Sequence, residues 1–142
     1  ERSMLKNIPP ELTPELVKFM MEMGCEDELL IAGANYSVMS RGIQRVCYVS
    51  GSVNDILNAI LALYPLNESA MPATMCFEEG DEPQLYRDFR NIISRFDSRQ
   101  SANLIDRLDK YPFINRAEKV YCAVITSDKR KNCEIILTKG AV

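Results

Sequence analysis

Short apolar segments alternate with amphipathic helical segments along this chain, and that alternation limits the folds it can adopt. Strands are predicted over residues 28–32, 44–49, 72–77, 103–108, 120–126 and 134–138, and helices over residues 13–24, 83–96 and 113–119 and from residue 52 onward. Strands separated by helices are typical of a layered α/β domain, in which helices cover the faces of a sheet. No repeat or linker interrupts the pattern, so we expect one domain over residues 4–142.

Local sequence signals predict where the helices begin and how the last two strands are connected. Thr13 is expected to cap the first helix, and Pro14 fits its first position. Ser52 is expected to begin the second helix, with Asp55 in a capping-box-like position. The polar turn at residues 127–132 joins the last two predicted strands, which favours a terminal hairpin and therefore a mixed sheet.

Composition excludes several classes of function. Seventeen basic against twenty acidic side chains give a net charge of −3, which argues against a nucleic-acid partner. No apolar run approaches the roughly 20 residues that span a bilayer, so no membrane partner is expected. Glu1, Arg2 and Ser3 precede Met4 and are interpreted as a remnant of a cloning vector.

The cysteines and the missing histidine limit the chemistry. The five cysteines have no C-x-x-C spacing, and they are Cys25, Cys47, Cys76, Cys122 and Cys133. Such cysteines are typical of free thiols in a reducing compartment, so we expect a cytoplasmic protein without disulfides or a metal site. Because the chain has no histidine, proton transfer near neutral pH must use a carboxylate, thiol, lysine or tyrosine.

Several ordered motifs carry a family resemblance. The segment Glu22–Glu28 (EMGCEDE) is similar to E-M-G-H-G-D-E, and Ala32–Ser37 (AGANYS) is similar to A-D-A-N-F-P. Arg107, Phe113 and Arg116 follow an R-x-x-R-F-x-F-Y-x-R-A pattern near the end of the chain. Together these motifs resemble the fucose mutarotase/ribose pyranase family, and the fucose mutarotase branch more closely.

The resemblance implies a fold, an assembly and an activity. It implies a three-layer α/β/α domain around a mixed sheet, assembled into a homo-oligomer, typically a decamer. It implies interconversion of the anomers of a free monosaccharide such as an L-fucose-like pyranose, without cofactor or metal. Ring opening takes a proton off the anomeric hydroxyl and gives one to the ring oxygen, so an acid/base pair and a sugar-shaped pocket suffice.

The resemblance also places candidate site residues, many of them changed. Cys25 stands where the family has its acid/base histidine, and Asp27 is retained, so these two are the catalytic candidates. Gly33 stands in place of a sugar-binding aspartate. The other sugar-binding candidates are Asn35, which is retained, Lys110, which replaces an arginine, and Asn132, Cys133 and Glu134, which replace Y-G-N.

Each candidate also has an ordinary structural interpretation. Cys25 would then be a packed or half-exposed thiol, and Asp27 with Glu28 would be solvated at a turn and strand edge. Lys110 and Glu134 would form an ion pair in the old sugar pocket or be solvated. The run at residues 128–131 would be an exposed turn. Met20, Met21 and Met23 would be core residues at helical spacing.

Two hypotheses of different classes therefore remain. The first is a mutarotase of altered specificity or low rate, with Cys25, Asp27 or Glu134 transferring the proton. The second is a catalytically degenerate family member that binds a sugar or serves as an oligomeric interaction protein. The loss of the histidine, the aspartate and Y-G-N together favours weak or absent activity. On this basis Cys25→His combined with Gly33→Asp is expected to raise anomer exchange.

Overall fold

A computed structural model describes residues 5–69, 71–97 and 104–142 of the chain. The helices are α1 (Pro14–Glu22), α2 (Val53–Leu61), α3 (Pro83–Ser94) and α4 (Lys110–Ala117), with a 3-10 turn at Met39–Arg41. The strands are β1 (Glu28–Ala32), β2 (Val46–Tyr48), β3 (Ala73–Cys76), β4 (Ile105–Leu108), β5 (Cys122–Ile125) and β6 (Ile135–Thr138). The residues interpreted as a vector remnant, and Asn103 at the start of the predicted fourth strand, lie outside the described residues.

The six strands form one mixed sheet in the order β2-β5-β1-β6-β3-β4. Strand β6 runs antiparallel to both of its neighbours, β1 and β3, while the remaining pairs are parallel. The mixed sheet is confirmed, but the predicted terminal hairpin is wrong, because β1 lies between β5 and β6. Every residue of β5 and β6 is buried, as expected of central strands covered on both faces rather than of a hairpin at an edge.

Helices cover both faces of the sheet, which confirms the predicted three-layer α/β/α architecture. Leu29 and Ile31 of β1 point to the first face, where they share a core with α1, α2 and α3. Leu30 and Ala32 point to the second face, which α4 covers together with the segment between β1 and β2. This alternation follows from the two-residue period of a strand.

The helix starts agree with their sequence signals. Thr13 accepts a hydrogen bond from the Leu16 N–H (3.2 Å), and Ser52 accepts one from the Asp55 N–H (3.1 Å). Among residues 5–69, 71–97 and 104–142, no helix is long and apolar enough to cross a membrane; α3, with 12 residues, is the longest of them.

Helix α4 and one methionine differ from expectation. Helix α4 begins three residues before the predicted start at Phe113, since its first turn is exposed and gives no apolar signal. Met20 and Met23 are buried as predicted, whereas Met21 is 82% exposed, so its assignment to the core is wrong. Met21 lies on the outer side of the amphipathic helix α1.

Candidate functional site

The predicted site residues fall into two groups at opposite ends of β1. Cys25 and Asp27 precede the strand, whereas Gly33 and Asn35 follow it. A five-residue strand rises by about 16 Å. One chain therefore does not bring Cys25 and Asp27 to the group that contains Gly33.

The second group lies where β1, β3 and β4 end and β6 begins. We call this group, which consists of Gly33, Asn35, Lys110, Asn132, Cys133 and Glu134, the polar edge. The pairing of Ile135 with both Ile31 and Met75 sets the start of β6 beside the ends of β1 and β3. In open α/β sheets, ligands bind outside the carboxyl ends of the parallel strands, so the polar edge is the candidate binding site.

Gly33 and Glu134 are in direct contact across the polar edge. The buried Gly33 N–H donates to Glu134 Oε2 at 3.1 Å. A Cβ atom at position 33 would lie 2.8 Å from Cys133 Sγ, 2.9 Å from the Asp128 carbonyl oxygen and 3.2 Å from Glu134 Oε2. Because one of these neighbours is backbone, an aspartate at position 33 would require the surrounding atoms to shift, which counts against the expected gain in anomer exchange from Cys25→His with Gly33→Asp.

Glu134 is a buried carboxylate rather than a solvated or ion-paired one. It is 8% exposed, and burial raises the pKa of its carboxyl above the usual range. Cys133 Sγ lies 3.8 Å from Glu134 Oε2. Within the described part of the chain no ion pair joins Lys110 to Glu134, and Lys110 is exposed at the start of α4. The ion-pair interpretation is therefore wrong, and the solvated interpretation holds for Lys110 but not for Glu134.

Asn132 connects the polar edge to a cleft of about 520 Å³ beside α3. Its Nδ2 donates to Glu78 Oε1 (3.1 Å) and Asp81 Oδ2 (2.8 Å), and its φ of 53° is left-handed. The cleft is also lined by Phe77, Leu85, Asp88 and Arg130. Asn132 is the member of the polar edge that lines this cleft, which opens on the α3 side of the sheet.

Asp128 is a buried anchor that the sequence interpretation missed. The exposed turn predicted over residues 128–131 is wrong at Asp128, which is 7% exposed. Its carboxylate pairs with Arg130 (2.5 Å) and accepts from the Val53 N–H (2.9 Å) at the start of α2. Hydrogen bonding to Arg130 lowers the pKa of Asp128 to about 2. Its carbonyl accepts from the Ala34 N–H (2.7 Å), so Asp128 also fixes the loop after β1.

The group before β1 is held in a turn and by an ion pair. Asp27 Oδ2 accepts from the Gly24 N–H at 2.7 Å, and Cys25 is exposed. Glu28 pairs with Arg116 of α4 at 2.6 Å, so the predicted solvation of Glu28 at the strand edge is wrong. This arrangement gives Asp27 a turn-stabilising contact, in agreement with its ordinary structural interpretation.

Tyr36 is a second residue that sequence reasoning passed over. It follows Gly33 by three residues, and its N–H donates to the Gly33 carbonyl at 3.2 Å. Its hydroxyl is buried and has no hydrogen-bond partner among the described residues. Burial raises the pKa of Tyr36 to about 12, with a further increase from Glu134. The signal in the sequence was the tyrosine in AGANYS, where the resembling motif has phenylalanine.

Residues 5–69, 71–97 and 104–142 hold no group of three or more histidine, cysteine, aspartate or glutamate side chains arranged to bind a metal. All five cysteines are free thiols; four are buried and Cys25 is exposed. The side chains of the polar edge offer carboxylate, amide, ammonium and thiol groups.

A mixed sheet covered on both faces, with polar side chains gathered where its parallel strands end, defines a three-layer α/β protein with a candidate ligand site at the strand ends. The sequence profile of the RbsD / FucU transport protein family matches residues 6–142. The chain belongs to this family.

Solved structures of the same fold agree with this assignment. The chain is similar to the fucose mutarotase of Streptococcus pneumoniae in complex with L-fucose, with 31% identity, a TM-score of 0.87 and coverage of 97% of this chain and 99% of that one. FucU from Bifidobacterium longum is 32% identical, with a TM-score of 0.87 and coverage of 96% and 99%. RbsD of Bacillus subtilis complexed with D-ribose is 16% identical over 92% and 95% of the two chains, with a TM-score of 0.76, and shares the fold.

Proposed function

We propose that this protein binds a free monosaccharide at the polar edge. The observation that carries the proposal is the buried carboxylate of Glu134 at the ends of the parallel strands, the same edge of the sheet that carries Asn132 and Lys110. Carboxylate, amide and ammonium groups supply the acceptors and donors that sugar hydroxyls require. The similarity to a fucose mutarotase in complex with L-fucose supports a pyranose as the ligand.

Anomer interconversion is the second candidate function, and the environment of Glu134 favours it. Burial raises the pKa of this carboxyl, which brings it closer to the working pH of a general acid or base. Cys25, the sequence candidate for proton transfer, lies at the other end of β1. Within one chain the proton-transfer role therefore falls to Glu134. The alternative is a catalytically degenerate member that binds sugar without exchanging its anomers.

We also propose that the protein is a cytoplasmic homo-oligomer, with a decamer as the expected size. The separation of Cys25 and Asp27 from the polar edge supports this, because only a second copy could bring them to a sugar bound there. Four buried free thiols support a reducing compartment. The proposed domain extends over residues 4–142.

Nuclear magnetic resonance with a panel of free sugars, including L-fucose and D-ribose, tests both candidate functions. Saturation transfer reports binding, and exchange spectroscopy reports anomer interconversion in the same sample. We expect binding of at least one sugar and slow exchange that Glu134→Gln reduces and Cys25→Ser leaves unchanged. A protein that binds no sugar would contradict the proposal, whereas loss of exchange in Cys25→Ser would assign the proton transfer to that thiol.

A further inference from the structure

The hydroxyl of Tyr36 is an unsatisfied polar group in an otherwise packed part of the molecule. Tyr36 belongs to the segment that leads from β1 to β2, and its ring packs against the second-face core. The hydroxyl oxygen is buried and has no partner among the described residues. Buried hydroxyls are nearly always hydrogen-bonded, since leaving one unpaired forfeits its bond to water. A phenylalanine would fill the same volume without that cost, so the hydroxyl calls for an explanation.

Its surroundings place this hydroxyl at the polar edge. Tyr36 is tied through its backbone N–H to the Gly33 carbonyl, and the Gly33 N–H is bonded to Glu134. Tyr36 packs against the same second-face core as Cys76, the last residue of β3, and Ile136 of β6, which follows Glu134 by two residues. A phenol is protonated near neutral pH, and burial, which raises the pKa of Tyr36 to about 12, does not change this, so the hydroxyl can donate.

Glu134 supplies the complementary acceptor. Its Oε2 accepts from the Gly33 N–H, and an ionised carboxylate has further lone pairs beyond that one bond. A buried donor without a partner and a carboxylate acceptor at the same edge of the sheet suit a ligand that offers both functions. A sugar offers both, because each hydroxyl donates one hydrogen bond and accepts others.

We propose that Tyr36 is a ligand-binding residue of the polar edge, whose hydroxyl donates to a sugar oxygen while Glu134 accepts from a sugar hydroxyl. This inference rests on the proposed monosaccharide-binding function and adds to it a residue that was not among the sequence candidates. It also accounts for a tyrosine with a buried hydroxyl at a position where phenylalanine would pack equally well.

The test compares Tyr36→Phe with the wild type in the same sugar panel, measured on the full chain by saturation-transfer titration. Loss of one hydrogen bond is expected to weaken binding of the best sugar about 5- to 10-fold. Thermal stability should stay the same or rise, because the variant no longer buries an unpaired hydroxyl. Tyr111→Phe is the matched control, since Tyr111 is 76% exposed, and its affinity should be unchanged.

A second control separates this site from unpaired hydroxyls in general. Thr74 Oγ1 is also buried without a partner among the described residues, but Thr74 lies within β3 and not at the polar edge. Thr74→Val should leave sugar affinity unchanged. In a double-mutant cycle, Tyr36→Phe should cost less affinity in the Glu134→Gln background, because both side chains hold the same ligand.

The possible failures are distinguishable. If the wild type binds no sugar in the panel, the proposed function fails and this inference fails with it. If the wild type binds and Tyr36→Phe binds equally well, only the inference fails. If Tyr36→Phe instead changes the mass measured by light scattering, the hydroxyl serves a contact between subunits and the inference is overturned.

Discussion

At the scale of single residues, position 33 shows why a motif cannot be restored one residue at a time. The family motif has aspartate there, yet in this chain the space beside Gly33 is taken by Cys133 and Glu134. The carboxylate at the polar edge comes from β6 instead of from the end of β1. Gly33 and Glu134 therefore form a matched pair, and changing either alters the fit of the other.

The first prediction concerns this tight packing. Gly33→Ala should lower the free energy of unfolding by about 1–3 kcal/mol, because its Cβ would press on Cys133 Sγ and a backbone oxygen. Gly24→Ala is the matched control; its Cβ would meet only Asp27 Oδ2, at an ordinary 3.7 Å, and the change should stay within about 0.5 kcal/mol. Urea denaturation of both variants provides the measurement. Equal stabilities would mean that position 33 has room for a side chain.

The second prediction concerns pH. Burial raises the pKa of Glu134, so the folded state holds this proton more tightly than the unfolded state, whose ordinary value is 4.5. The contribution of this bound proton to the free energy of unfolding is fully present below pH 4.5 and is lost as the pH rises through the folded-state pKa. Glu134→Gln keeps an acceptor for the Gly33 N–H but has no charge to bury, so it should exceed wild-type stability at neutral pH.

Thermal unfolding of wild type and Glu134→Gln across this range checks the pH prediction. The advantage of the variant should shrink on acidification and disappear below pH 4.5. An advantage that grew on acidification would show that the Glu134 carboxylate is stabilised by its surroundings. A stability gain together with weaker sugar binding would mark Glu134 as a residue retained for function.

At the scale of elements, the helices can be predicted from signals between residues that are close in the sequence. The pairing of strands depends on residues far apart in the sequence, and it was not predicted correctly. Thr13, Ser52 and the helical spacing of α1 predicted helices correctly, because a cap and its partner lie three residues apart. The hairpin of β5 and β6 was predicted from a polar turn alone. Nothing within that segment shows that β1, nearly a hundred residues earlier, lies between the two strands.

The same limit applies to the candidate site. The resemblance supplied the six positions that the sheet gathers at the polar edge. It could not supply the bond from Val53 to Asp128, which joins residues 75 apart, or that from Gly33 to Glu134, which joins residues 101 apart. Tyr36 was passed over because an unpaired hydroxyl becomes visible only when its burial is known.

The third prediction tests how Asp128 anchors α2. Its folded-state pKa of about 2 lies below the ordinary value of 3.8, so its contribution to stability is present above pH 3.8 and is lost as the pH falls towards 2. Asp128→Asn keeps an acceptor for the Val53 N–H but loses the charge. The variant should lower the free energy of unfolding by about 2 kcal/mol at neutral pH.

Asp55→Asn is the control for the Asp128 prediction, since Asp55 is exposed in the first turn of the same helix. Asp55→Asn should change the free energy of unfolding by no more than about 0.5 kcal/mol. Denaturation monitored by circular dichroism at neutral and acidic pH gives both values. Equal losses from the two variants would show that Asp128 contributes no more than a surface charge near the helix start.

At the scale of the whole molecule, the fourth prediction is an assembly larger than a dimer. Large apolar side chains are exposed on the single chain, among them Met21, Met39 and Tyr48. Covering such surface is a common role of contacts between subunits. Light scattering at micromolar concentration should give more than twice the chain mass of 16.1 kDa. A mass near 16 kDa would contradict the assembly and would leave no second copy to bring Cys25 to the polar edge.

The central place of β6 has a consequence for how the protein is made. The strand joins the β2-β5-β1 part of the sheet to the β3-β4 part, yet the ribosome synthesises it after all five of the others. Until β6 emerges, a nascent chain would present the facing edges of β1 and β3 without a partner, and exposed edges of this kind promote aggregation. Completion of the sheet therefore waits until this late segment of the chain has been synthesised.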